Sequence, residues 1–156
     1  MAKTLNDLLE AAINDEIAAQ QYYLEAMEKT SNAKLKEFFK SLASEEKGHE
    51  RILSGVKEMG IYDGSLPVDE DSVQKIEGAH IIPNEEPIVE MSLEKAMEVA
   101  MKKENKASEV YGQMEQTSTQ EELKKLFSSL SSDERRHAIQ IDEHYRMHTG
   151  QMGRED

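Results

Sequence analysis

Two copies of the motif Glu-x-x-His are the segments of this sequence best suited to metal binding. Glu46 and His49 form the first copy, and Glu134 and His137 form the second. Residues three positions apart on an α-helix lie on the same face, so each copy would present a carboxylate and an imidazole together. Both groups bind divalent metal ions, which makes each motif half of a candidate metal site.

The same spacing occurs a third time, at Glu77 and His80, and we interpret this pair as a coincidence. Glutamate is abundant in this acidic sequence, so a single Glu-x-x-His is weak evidence for a site. Gly78 and Pro83 flank His80 and disfavour a long helix there. The pair also has no counterpart elsewhere in the chain, and we therefore expect His80 to be dispensable for metal binding.

The other two motifs lie at equivalent positions of an internal repeat. Residues 5–49 align with residues 93–137 without a gap, at an offset of 88 positions. Because the matches include tyrosine, phenylalanine and histidine, which are rare here, chance is a poor explanation. Two copies predict two similar halves that face each other, since a solenoid needs at least three repeats. In the first half the identical residues are Leu5, Glu10, Ala12, Glu16, Ala19, Tyr23, Leu35, Lys36, Phe39, Ser41, Leu42, Ser44, Glu46 and His49.

Each half also carries one glutamate on the apolar face of its first helix, Glu16 in the first half and Glu104 in the second. Four ionised carboxylates, counting those of the two motifs, would be costly to bury and would repel one another. Two divalent metal ions would balance these four charges, with two glutamates bridging and one histidine on each ion. Mixed oxygen and imidazole ligands favour iron or manganese over a structural zinc site. The alternative is a metal-free bundle whose acids and histidines are surface residues or internal ion pairs.

Apolar residues at helical spacing predict two helices in each half, and these elements must position the side chains above. We predict that residues 4–59 form the first hairpin and residues 92–148 the second. Glycine and proline break any long helix in residues 60–91, which we predict to be a crossover along the bundle. This connectivity predicts an all-α, ferritin-like four-helix bundle, with residues 1–156 as a single domain and residues 149–156 as a short tail.

Local signals refine the helix boundaries. Thr4 is the predicted N-cap of the first helix, and the second helix is predicted to point Ile52 inward. Thr119 and Glu122 have the spacing of a capping box and predict the start of the fourth helix. Within the crossover, a short helix or turn is predicted around Val73–Ile76.

Composition excludes several classes of function. The chain has 156 residues, of which 37% are hydrophobic and 33% charged, and its net charge is −13. This charge would repel a phosphate backbone, so we expect no nucleic-acid partner. The sequence contains no cysteine, which excludes disulfides, cysteine-ligated metals and thiol nucleophiles. Apolar runs are too short for a membrane span, and the acidic first residues are unlike a signal peptide, so we expect a cytoplasmic protein without a membrane partner.

The repeat, the paired motifs and the inward glutamates together resemble the rubrerythrin and bacterioferritin branch of the ferritin-like superfamily, whose dimetal sites use this ligand set. The resemblance covers both hairpins. It implies that Glu46 and Glu134 bridge two iron ions. It also implies that Glu16 and Glu104 are terminal ligands, each beside the histidine of its own half, and that the protein is a homodimer.

The sequence departs from these families at several points. Rubrerythrins typically carry a cysteine-ligated rubredoxin iron; this chain has no cysteine, which implies an external electron donor such as a rubredoxin-like protein or a reductase. Ala107 stands where rubrerythrins have a further glutamate, and Lys47 where bacterioferritin has its haem-ligating methionine. The residues after the fourth helix are too few for the fifth helix of cage ferritins, so we do not expect a storage cage.

Four further residues could support the metal pair. Glu45 and Asp133 directly precede the motif glutamates, where they would either accept a hydrogen bond from a ligand histidine of the facing helix or face solvent. Tyr23 and Tyr111 follow the inward glutamates of the first helices by two turns. They would contact ligands or donate an electron, or else be core tyrosines with satisfied hydroxyls.

These residues and the resemblance favour a non-haem diiron oxidoreductase. Its substrates would be H2O2, which it reduces, or Fe²⁺, which it oxidises with O2 or H2O2, with an external electron donor as partner. Glu46, Glu134, Tyr23 and Tyr111 would be the catalytic residues. Two alternatives stay open: an iron-sequestering protein without significant turnover, and a dimanganese catalase, for which the same ligands would serve.

Overall fold

The computed structural model of the protein describes residues 3–60 and 62–150. Four long helices dominate it. In chain order the elements are β1 (Lys3–Thr4), α1 (Leu5–Met27), α2 (Ala33–Met59), β2 (Pro67–Val68), α3 (Glu70–Glu77), a 3₁₀ turn (Ile88–Glu90), α4 (Leu93–Thr117) and α5 (Glu121–Thr149). Most of the predicted tail, residues 151–156, lies outside the described residues.

The long helices pack as two hairpins, α1 against α2 and α4 against α5. A short loop joins the helices of each hairpin, and a long crossover that contains α3 joins the two hairpins. This arrangement is the all-α, ferritin-like bundle predicted from the sequence.

Two apolar clusters fill the bundle, one around Phe127 and the other around Phe39. On each long helix, residues of one cluster are separated from residues of the other by a buried glutamate. These glutamates are Glu16 on α1, Glu46 on α2, Glu104 on α4 and Glu134 on α5. The bundle therefore has a polar layer between two apolar ones.

The predicted N-cap of α1 is confirmed and that of α5 is wrong. Thr4 caps α1: its hydroxyl accepts a hydrogen bond from Asp7 N–H, and its own N–H donates to the Asp7 carboxylate at 2.8 Å. The capping box predicted at Thr119 does not form. Helix α5 begins at Glu121, and its N-cap, Gln120, makes no side-chain capping bond among the described residues.

One predicted core position of α2 is also wrong. Ile52 is 51% exposed, whereas its neighbour Leu53 is fully buried. Successive residues of a helix are rotated by about 100°. The inward stripe of α2 therefore runs from His49 to Leu53, and Ile52 falls outside it.

The crossover packs against the bundle. The predicted short helix is confirmed as α3, which buries Val73 and Ile76. Before it, β2 pairs with β1 in a short antiparallel ladder that the sequence analysis did not predict. After α3 the chain turns inward, and Ala79 and His80 are both buried.

Across the described part of the chain, no helix combines the length and the apolar character needed to cross a bilayer.

Candidate metal centre

All six residues predicted to bind metal meet in the polar layer of the bundle, and none is more than 4% exposed. On one side, Nδ1 of His49 lies 3.4 Å from Oε2 of Glu16. The same nitrogen lies 3.2 Å from Oε1 of Glu46 and 3.5 Å from Oε1 of Glu134. These four side chains offer donor atoms close enough to share one ion.

The other side repeats this arrangement with residues of the second half. Nδ1 of His137 lies 3.2 Å from Oε2 of Glu104 and 3.2 Å from Oε1 of Glu134. It also lies 3.5 Å from Oε1 of Glu46. Glu46 and Glu134 thus contact both histidines, whereas His49 has Glu16 beside it and His137 has Glu104. This geometry suits the predicted division into bridging and terminal carboxylates, and the binding roles themselves stay predictions.

The outward-facing ring nitrogen of each histidine contacts an acid of the facing helix. This agrees with the predicted hydrogen bond and not with the alternative, in which both acids faced solvent. Nε2 of His49 lies 3.0 Å from Oδ2 of Asp133, and Nε2 of His137 lies 2.5 Å from Oε2 of Glu45. An ionised carboxylate only accepts hydrogen bonds, so Nε2–H must donate. Nδ1 is then the nitrogen that can bind an ion. Arg136 lies between the two acids, 3.3 Å from Glu45 and 3.4 Å from Asp133.

The two predicted tyrosines contact the inward glutamates across the bundle. The hydroxyl of Tyr23 donates to Oε1 of Glu104 at 2.7 Å, and that of Tyr111 donates to Oε1 of Glu16 at 2.6 Å. Each tyrosine therefore holds the glutamate of the opposite half. Burial, aided by the bonded carboxylate, raises the pKa of Tyr23 well above its ordinary value. The hydroxyl stays protonated and keeps donating; a role in electron transfer stays a prediction.

The interpretation of His80 as a residue outside the site is wrong. His80 is 3% exposed, and its Nε2 lies 2.6 Å from Oε2 of Glu134, 3.2 Å from Oε2 of Glu46 and 3.3 Å from Oε1 of Glu104. Glu77 is exposed on α3, so the Glu-x-x-His spacing of this pair is indeed a coincidence. The histidine reaches the site because α3 ends and the crossover turns toward the core.

Asp15 is the second residue that the sequence analysis missed. It is 4% exposed and bonds both the backbone and the ring of His80. A weak signal was present, since Asp15 directly precedes Glu16 and follows Ala12 by three positions on the apolar face of α1. Nothing in the sequence, however, indicated that the crossover would pack against this acid.

The cluster holds more negative charge than the fold can easily bury. Burial and the nearby Glu46 carboxylate raise the pKa of Glu16 to about 7. Burial lowers the pKa of His49, but hydrogen bonds to Glu16 and Glu46 outweigh it and raise that pKa to about 12. For Glu104, burial is outweighed by His80 and His137, which lower its pKa. Without metal, protons on the histidines and on some carboxylates would balance the charge.

The buried polar atoms of the cluster have the spacing and the lack of partners expected of metal ligands. Among the described residues, seven buried side-chain atoms make no hydrogen bond, and all belong to this cluster. Buried polar atoms are normally paired, so a group of unpaired ones needs a partner of another kind. Two donors on one divalent ion, each about 2.1 Å from it, lie about 3.0–3.4 Å apart, close to the spacings found here. The unpaired atoms are Oε2 of Glu16, both carboxylate oxygens of Glu46 and of Glu134, Nδ1 of His49 and Nε2 of His80.

The fold and this donor set define a ferritin-like protein with a buried carboxylate–histidine cluster suited to a pair of metal ions. The rubrerythrin family model matches residues 7–145, and the chain belongs to that family. A solved structure of a hypothetical protein from Pyrococcus furiosus is similar to it, with a TM-score of 0.67 and 27% sequence identity over 92% of this chain and 89% of that one. No match is found among curated proteins.

Proposed function

We propose that the protein is a diiron oxidoreductase that reduces H2O2. The observation that carries this proposal is the double role of Glu46 and Glu134, whose carboxylates each lie within 3.5 Å of both His49 and His137. Carboxylates in that position would link two ions. Mixed oxygen and imidazole donors in a partly open set favour iron, with manganese as the alternative metal.

Two ferrous ions bound by these residues would supply two electrons, which is the number needed to convert H2O2 and two protons into two water molecules. The protein's own contribution is to hold the donors in place. Tyr23 and Tyr111 each donate a hydrogen bond to one oxygen of a terminal carboxylate, and the other oxygen of that carboxylate faces the centre. Asp133 and Glu45 keep Nδ1 of the two helix histidines free to bind.

The burial of the site supports two-electron chemistry in an enclosed space. The donor residues lie between two apolar clusters, so water has little access to the reacting atoms. The sequence has no cysteine and therefore no rubredoxin-type iron of its own. We propose that a rubredoxin-like protein or a reductase returns the electrons, and that the protein works in the cytoplasm as a homodimer.

Oxidation of Fe²⁺ is the second candidate activity. Ala107 is fully buried and adds no carboxylate to the set. The helices would then supply six ligands, a set closer to that of bacterioferritin. With such a site, O2 would compete with H2O2 as the oxidant. An iron-sequestering protein would use the same residues without repeated turnover.

Rapid mixing tests these activities against each other. The protein is loaded anaerobically with two Fe²⁺ per chain, checked by elemental analysis, and mixed with H2O2 or with O2 while ferric absorbance is followed in the near ultraviolet. The proposed peroxidase reacts faster with H2O2. Equal or faster reaction with O2 favours Fe²⁺ oxidation, and oxidation that stops near two irons per chain under excess Fe²⁺ favours sequestration. A chain that binds fewer than two ions would contradict the metal centre itself.

A further inference from the structure

His80 is held by two buried residues at equivalent positions of the repeat. Its backbone N–H donates to Oδ1 of Asp15 at 2.9 Å, and its ring Nδ1–H donates to Oδ2 of the same carboxylate at 2.5 Å. Its carbonyl accepts a hydrogen bond from Nζ of Lys103 at 2.9 Å. Asp15 and Lys103 are 88 positions apart, the offset of the repeat, and are 4% and 9% exposed. Both halves of the bundle therefore hydrogen-bond to the same residue of the crossover.

The chain around His80 is fixed as well. Lys103 also donates to Oε1 of Glu85 at 2.9 Å, and Lys106 donates to the carbonyl of Ile81 at 2.6 Å. On the other side, Ala79 is fully buried. A residue held at its ring, its backbone and both flanks has a defined orientation, which is a requirement for a metal ligand.

The hydrogen bond to Asp15 determines which ring nitrogen of His80 is available. A carboxylate accepts, so Nδ1 carries the hydrogen and Nε2 is the nitrogen that faces the cluster. Nε2 is buried and lies 2.6–3.3 Å from oxygens of Glu46, Glu104 and Glu134, yet makes no well-directed hydrogen bond to any described residue. A core histidine with only a structural role would have both nitrogens satisfied.

The same pattern occurs at all three histidines of the cluster. His49 and His137 each bond an outer acid through Nε2 and turn Nδ1 inward, and His80 does the same with its nitrogens exchanged. The two helix histidines approach Oε1 of Glu46 and of Glu134, whereas His80 approaches Oε2 of both. His80 therefore lies beside the oxygen of each shared carboxylate that the two helix histidines do not approach.

We propose that His80 is a seventh protein ligand of the metal pair, binding through Nε2 the ion that Glu104, with His137 beside it, would hold. This proposal rests on the proposed metal centre. The donor group formed by Glu46, His80, Glu104 and Glu134 is compact enough to surround one ion. The crossover would then take part in the site directly, and the two ions would be unequal, one with one histidine and the other with two.

Cobalt(II) is a suitable probe because it binds oxygen and imidazole donors and reports them spectroscopically. Metal-free wild-type protein, His80→Ala and the control His144→Ala are titrated with Co²⁺ against a competing chelator. His144 stacks on Phe38 away from the cluster, so its removal controls for the loss of a histidine. We expect the wild type and the control to bind two ions alike, and His80→Ala to bind one of them at least about tenfold more weakly.

X-ray absorption of the fully loaded proteins counts imidazoles independently of affinity. The expected count is three imidazoles per two ions in the wild type and two in His80→Gln. This variant keeps much of the side-chain volume and a hydrogen-bonding group, so it also serves if the alanine variant fails to fold. Asp15→Asn should weaken the same ion about 10–100-fold, because the outer partner of a ligand histidine sets its tautomer.

The outcomes separate the two proposals. If the wild type binds two ions, but His80→Ala binds both within about twofold of wild type and the imidazole count stays at two per pair in both proteins, His80 is not a ligand and the metal centre stands. If the wild type binds fewer than two ions, the metal centre itself fails, and the assignment of His80 fails with it.

Discussion

Replacing Glu16 by glutamine would separate the stability of the metal-free fold from its ability to bind metal. Glutamine has nearly the same volume, and its amide oxygen can still accept the hydrogen bond that Tyr111 donates at 2.6 Å. It cannot ionise, so the variant removes one negative charge from a cluster of buried acids. The same change removes a carboxylate that we expect to bind an ion beside His49.

The magnitude follows from the pKa of Glu16, which burial and then the Glu46 carboxylate raise from 4.5 to about 7. Between these values the folded protein keeps a proton that the unfolded chain releases. The stability that this proton contributes is present at low pH and is lost as pH rises through about 7. With about 1.4 kcal/mol for each pKa unit, the loss amounts to about 3 kcal/mol by about pH 8.

Urea unfolding of the metal-free proteins at about pH 5 and about pH 8 measures this effect. The variant should differ little from wild type at the lower pH and be more stable by about 3 kcal/mol at the higher one. Glu25→Gln changes an exposed glutamate of the same helix and should show no such dependence. With metal bound, the wild type should instead be more stable than the variant. A variant that is less stable at about pH 8, or a difference that does not change with pH, would refute the reasoning.

Three other changes test separate parts of the site. Glu46→Ala should lose both ions because this carboxylate contacts both helix histidines; elemental analysis that still finds two ions would contradict its shared position. Tyr23→Phe removes a buried hydrogen bond to Glu104, so urea unfolding should show a loss of about 1.5–3 kcal/mol; an unchanged free energy would mean that the bond contributes nothing. Gly48→Ala should stabilise α2 by about 1 kcal/mol without changing metal content, since a Cβ there meets nothing within 4 Å; a destabilised variant would show that the glycine serves packing.

The residues that the sequence predicted to meet, and that do meet in the structure, all lie on regular helices. Glu16, Glu46, Glu104 and Glu134 occupy the apolar stripes of their helices, and a period of 3.6 residues relates position in the chain directly to position on a face. The repeat then indicates that the two halves present the same residues to one another. Side chains that share a face and carry charge must meet if the stripe is buried, so the cluster could be predicted without coordinates.

Local rules were less dependable at the edges of these helices. The spacing at Thr119 matches a capping box, yet the N-cap of α5 is the next residue, Gln120, and it makes no side-chain capping bond. Sequence spacing alone does not specify the backbone conformation that an N-cap requires. Ile52 lies three positions after His49 and therefore satisfied the periodicity, but it falls on the outer border of the stripe.

By itself, the sequence determined the four-helix architecture and the meeting of six glutamate and histidine side chains on the helices, because these follow from periodicity and from the offset of 88 positions between the halves. Only the tertiary structure decided that Tyr23 holds the glutamate of the opposite half and that His80 enters the cluster. The contact between His80 and Asp15 joins residues 65 positions apart, one of them on a segment without regular structure. The direction of such a segment depends on where α3 packs and on the hydrogen bond from Lys103 to the carbonyl of His80. No periodic pattern in the sequence encodes either contact.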